Sequence, residues 1–115
     1  MPYIAINTNL NISETQKELI KTELGNLITI IPNKTESTLM IDFSESKTIY
    51  KAGSKVSGVF IDLRLFHKSE FEVKKEFTEK TIEMVHQKLD ILKENIYLTI
   101  MEFDNWGSGG TYKWN

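Results

Sequence analysis

The chain has 115 residues, 40% of them hydrophobic and 26% charged, with 14 basic against 16 acidic side chains and a formal net charge of −2. That size and balance describe one ordinary globular domain with a single core, and they exclude a strongly basic nucleic-acid binder as the default reading. Cysteine is absent and there are only two histidines, which excludes disulfides, thiol nucleophiles and thiolate metal sites and argues against a protein-encoded zinc site.

The first element is a short, mostly buried strand, Tyr3–Ile6, ended by Asn7-Thr8-Asn9. Its surroundings, MPYIAINTN, carry neither the basic segment nor the long apolar stretch of a signal peptide. Apolar runs elsewhere fall far short of the roughly 20 residues a membrane helix needs. The expectation is a cytoplasmic protein with no membrane and no nucleic-acid partner.

Ser13 and Gln16 have capping-box spacing, and Ile20, Leu24, Leu27, Ile28 and Ile31 line one face of a helix over about 14–31. Gly25 inside it costs about 1 kcal/mol relative to Ala, and Pro32-Asn33 ends it. Thr38–Phe43 reads as a second strand. The polar stretch Ser44–Gly58 has a short edge strand at Thr48–Tyr50. Val59–Phe66 then alternates, with Val59, Ile61, Leu63 and Leu65 on one face and Phe60, Asp62, Arg64 and Phe66 on the other. Ser69 and Glu72 repeat the capping box, and Phe71, Thr78, Ile82, Val85, Leu89 and Leu92 continue a helical stripe to about residue 92. Asn95–Phe103 is the last main strand. The tail, Asp104–Asn115, carries three glycines, two tryptophans and a tyrosine.

The two halves match. Ile4, Ser13 and Leu39 correspond to Phe60, Ser69 and Tyr97 at offsets of 56, 56 and 58 residues. A near-constant offset marks an internal repeat of one split β-α-β unit, at about 1–44 and 59–103, within a single domain spanning 1–115. The expected fold is α+β: a four-stranded mixed sheet with two helices on one face. The other face has no cover within the chain. Ile6, Met40, Phe60, Phe66 and Met101 are too apolar for a fully solvated sheet, so oligomerisation through it is expected.

Familiar catalytic groups are missing. There is no GxSxG, and His67 and His86 lie far apart. Asp62 and Arg64, two apart on one strand face, read as a structural ion pair, and Glu70–Lys80 as a solvated helix face. No glycine-rich phosphate loop precedes a helix, so no cofactor and no metal are expected. What remains is Pro2. Removal of Met1 would leave a secondary amine at the start of a buried strand. An ordinary α-amino group has a pKa of roughly 7.7–8.0. Burial and a nearby lysine would both favour its neutral form and fit it for general-base work.

Met1-Pro2-Tyr3-Ile4, Asn7-Thr8-Asn9, Pro32-Asn33-Lys34, Leu65-Phe66-His67-Lys68, Asn95-Ile96-Tyr97 and Asn105-Trp106-Gly107, set on a duplicated β-α-β pattern, resemble the tautomerase superfamily. Its closest branch is the macrophage migration inhibitory factor family, which includes D-dopachrome tautomerase and bacterial relatives. The resemblance covers essentially the whole chain. It implies a keto–enol tautomerase for small α-keto acids such as phenylpyruvate, acting as a homotrimer with pockets at subunit interfaces and no cofactor. It implies Pro2 as general base and Lys34 as the ligand of the substrate carboxylate. Phe66 falls where the family uses a backbone N–H on that carboxylate. Tyr97 would come from the neighbouring subunit, and Trp106 would form a pocket wall. Thr99 stands where mammalian members have asparagine, and Thr38 where they have a pocket tyrosine. These departures leave a second reading, a binding or signalling protein with vestigial activity. Arg64 is the only arginine, which ranks dehalogenase and decarboxylase chemistries below tautomerisation.

Overall fold

A computed structural model describes residues 1–114; Asn115, the end of the tail, lies outside the described residues. In chain order the elements are β1 (Pro2–Thr8), α1 (Glu14–Leu27), β2 (Met40–Ser44), a small hairpin of β3 (Tyr50–Lys51) and β4 (Ser54–Lys55), β5 (Val59–Phe66), α2 (Phe71–Leu89), β6 (Ile96–Phe103), and a terminal hairpin of β7 (Asn105–Ser108) and β8 (Thr111–Trp114). The main sheet has the order β2-β1-β5-β6. The outer pairs β1/β2 and β5/β6 are parallel, and the central pair β1/β5 is antiparallel. Each outer pair is one β-α-β unit, and the two units meet at the central pair, as the repeat predicts.

The core lies between the sheet and the helices. Ile4 and Ile6 of β1 and Ile61, Leu63 and Leu65 of β5 are fully buried with Ile20 and Leu24 of α1 and Phe77 and Val85 of α2. Ile6 therefore does not belong to the open face. The run Tyr3–Ile6 is apolar at every position, so it carries no parity signal; the register that sets Ile4 opposite Leu63 and Ile6 opposite Ile61 supplies it. Phe66 is also buried, at 6% exposure. The open face presents Met40, Phe60, Tyr97 and Met101, all exposed. Among them the Tyr3 hydroxyl donates to Asp42 at 2.9 Å, and the expected Asp62–Arg64 pair forms at 3.5 Å.

Element ends differ from the sequence pattern where backbone geometry decides. α1 has the predicted capping box at Ser13 but closes at Leu27, and a 3-10 turn over Ile28–Ile30 carries the apolar stripe onward. β2 starts at Met40 because Glu36–Thr38 form another 3-10 turn. In α2 the buried face is Phe77, Thr81, Met84, Val85 and Leu89, whereas Phe71 and Leu92 are largely exposed. The second capping box does not form. The Ser69 N–H donates instead to Glu102 at 2.6 Å, Lys74 reaches the same carboxylate at 2.8 Å, and Glu70 is the N-cap. Burial pushes the Glu102 carboxyl up, but those two donors outweigh it and hold the group below the ordinary range.

The tail is an ordered hairpin. Gly109 and Gly110 have φ of 59° and 82°, the left-handed pair that a two-residue type I′ turn demands. The turn sets Ser108 opposite Thr111 and Trp106 opposite Lys113. Among the described residues no helix is long and apolar enough to cross a membrane.

Candidate active site

Pro2 opens β1 opposite Leu65 and is buried. Met1 precedes it, half-buried, so the Pro2 nitrogen is an amide here and the free amine is that of Met1. Burial, then the charge of Lys34 and its contact with the amine, then the charge of Lys113 lower this amine from 8.0 to about 6. At pH 7 a group with that pKa is neutral by about tenfold.

Lys34 is brought there by the turn that ends the first helical segment. Pro32 cannot extend the helix. Asn33 takes a left-handed φ of 67°, which an asparagine tolerates better than most residues, and the Lys34 N–H donates to Ile31 O at 3.2 Å. The side chain turns inward to 7% exposure, and its Nζ donates to Phe66 O at 2.7 Å. Among the described residues no carboxylate forms an ion pair with it.

Phe66 ends β5. Its ring stacks on His67, with centroids 3.7 Å apart, and faces the Trp106 ring at 6.2 Å. His67 has a φ of 79°, and its N–H donates to Phe103 O at 2.9 Å, which ties the end of β5 to β6. Trp106 also meets Phe103 edge-on at 6.2 Å. The structure thus gathers Pro2, Lys34, Phe66 and Trp106 at one end of the sheet.

Tyr97 and Thr99 lie elsewhere. Pro2 is opposite Leu65, and Leu65 is opposite Glu102, so Tyr97 is five residues further along β6. That is roughly 17 Å of strand. Both residues are exposed on the open face, and Lys51 Nζ sits 5.5 Å from the Tyr97 ring centroid. Within one chain neither reaches the terminal amine. A cleft of about 570 Å³ between the Pro32–Lys34 turn and the His67–Glu70 loop shares only Lys34 with the predicted set. A cleft of about 510 Å³ lies beside Tyr97 and Phe60. Thr38 is exposed in its 3-10 turn. Among the described residues no three His, Cys, Asp or Glu side chains come together as a metal site.

Two residues near Met1 escape the sequence reading. Ser108 Oγ lies 3.0 Å from Met1 Sδ, and Lys113 Nζ donates to Ser108 Oγ at 3.1 Å. The signal that would have found them is Gly109-Gly110, a hairpin dipeptide that puts Trp106, Ser108 and Lys113 on one face.

Comparison with known proteins agrees with this architecture. No curated protein sequence matches significantly. The chain superimposes on the crystal structure of Leishmania major MIF2 with a TM-score of 0.90 at 18% identity, covering 98% of this chain and 97% of that one. The macrophage migration inhibitory factor-like protein of Entamoeba histolytica gives 0.84 at 22% identity, covering 97% and 98%. A fused 4-OT, described as an asymmetric trimer, gives 0.82 at 15% identity, covering 95% and 94%. The family model for macrophage migration inhibitory factor (MIF) matches residues 1–112, and with a duplicated β-α-β fold beneath that match the chain belongs to this family.

Proposed function

We propose that the protein is a keto–enol tautomerase for small α-keto acids of the phenylpyruvate type, with the Pro2 amine, freed by removal of Met1, as general base. The observation that carries this is the terminal amine, lowered to about 6 by burial and by Lys34 and Lys113. The Pro2 nitrogen, one residue further along and buried, would be shifted in the same direction by burial and by Lys34 once it becomes the terminus. A neutral amine in that place takes the proton from the carbon beside the carbonyl. The electron pair forms the C=C bond, the carbonyl oxygen becomes an enolate, and the ammonium returns the proton to it. Lys34, buried and without a carboxylate ion-paired to it among the described residues, binds the substrate carboxylate. The rings of Phe66 and Trp106 accept the apolar end and exclude water.

The working form is a homotrimer in which Tyr97 and Thr99 of a neighbouring copy line the pocket. Its support is the exposed Met40, Phe60, Tyr97 and Met101 on an uncovered sheet face and the distance of Tyr97 from Pro2 within one chain. The test is keto–enol conversion of phenylpyruvate by Met-free protein, its terminus checked by intact mass. Turnover well above background that is lost in Pro2→Ala supports the reading. Equal rates for the two proteins overturn it.

A further inference from the structure

Met1 is bonded to the Pro2 nitrogen and lies half-buried beside it, with its amine against Lys34 and its thioether against Ser108. The groups that touch Met1 are those a molecule docked at a free Pro2 amine would meet. They are Lys34 at the amino end and Ser108 at the thioether end, with Lys113 bonded to Ser108 at 3.1 Å. Lys113 is half-buried, and among the described residues no carboxylate pairs with it. Its position is fixed by construction. The Gly109-Gly110 turn sets it opposite Trp106, whose ring is held against Phe66 and Phe103. The opposite face of the hairpin, Tyr112 and Trp114, is exposed.

From this placement we infer that Ser108 and Lys113 form a second anion contact of the site, facing Lys34 across the space Met1 fills, and that they favour 2-oxo dicarboxylates over monocarboxylates of similar size. The inference rests on the tautomerase reading for its reaction but not for its binding site. Lys34 takes the carboxylate next to the carbonyl. Lys113, steadied by the Ser108 hydroxyl, takes the distal carboxylate through a charge-assisted hydrogen bond. Two cations, one at the amino end of Met1 and one bonded to the serine at its thioether end, with no carboxylate ion-paired to either among the described residues, complement a short dianion.

The experiment uses Met-free protein and reads both turnover and binding. Enolisation of oxaloacetate is compared with that of phenylpyruvate in wild type, Lys113→Met and Lys113→Arg. Succinate binding is compared with butyrate binding by calorimetry in the same proteins. Lys113→Met keeps the apolar stem, and it is expected to lower kcat/KM for oxaloacetate about tenfold more than for phenylpyruvate. It should also remove the preference for succinate, and Lys113→Arg should restore both. Equal losses on the two keto acids, or a succinate preference that survives in Lys113→Met, overturn the inference. If wild type turns over neither keto acid yet shows a Lys113-dependent preference for succinate, the tautomerase reading fails and the anion contact stands.

Discussion

The two β-α-β units share one plan but treat the turn after the helix in opposite ways. In the first unit Pro32 and the left-handed Asn33 swing Lys34 inward, where it is buried on Phe66 O with no carboxylate ion-paired to it among the described residues. In the second, α2 closes on a left-handed Asp90, and Lys93, at nearly the equivalent place, lies on the surface paired with Glu83. The first arrangement leaves a buried cation beside the terminal amine. The second neutralises its cation in solvent, where such pairs contribute little. The frame occurs twice, and the proposed chemistry uses only one end of it.

The comparison can be pressed by substitution, beginning with the shared frame. Phe77, fully buried in the middle of α2, packs in the core that serves both units. Phe77→Ala should cost about 3–5 kcal/mol of unfolding free energy in denaturant titration; a cost below about 1 kcal/mol would mean that the units do not share that core. Next come the two lysines. Lys34→Ala should lower kcat/KM on phenylpyruvate about a hundredfold, through the lost carboxylate contact and a more basic amine. Lys93→Ala should leave turnover unchanged and shift stability by less than about 0.5 kcal/mol. Equal effects would remove the asymmetry. The helix starts give the smallest contrast. Ser13→Ala breaks an observed capping box and should cost about 1 kcal/mol. Ser69→Ala removes no capping side-chain bond, since only the Ser69 backbone is used, and thermal unfolding should hardly move.

The fold was legible because the halves repeat the same signals. Hydrophobic spacing marked both helices, alternation marked β5, and the repeat offset gave the topology. What the pattern missed was set by tertiary geometry. Ile6 sits in a run with no alternation, so only pairing with Ile61 assigns its face. Ser69 has the spacing of a cap, but Glu102, thirty-three residues away in sequence, takes its N–H. Of the site, Pro2, Lys34, Phe66 and Trp106 were legible from the family resemblance, and the structure brings them together. Tyr97 and Thr99 are not brought to them by one chain. Ser108 and Lys113 escape a reading by composition, because only the pairing across the Gly109-Gly110 turn sets Lys113 opposite Trp106.

The central claim is that the first unit holds its terminal amine neutral for base chemistry. The most direct measurement is the pH dependence of kcat/KM on phenylpyruvate for Met-free protein. The base is active when deprotonated, so the rate should rise as pH increases through a midpoint below the ordinary α-amine range and flatten above it. Lys34→Ala should move that midpoint upward. A midpoint at about 8 or above in wild type, the ordinary range of an α-amine, or one that Lys34→Ala leaves in place, would contradict the account.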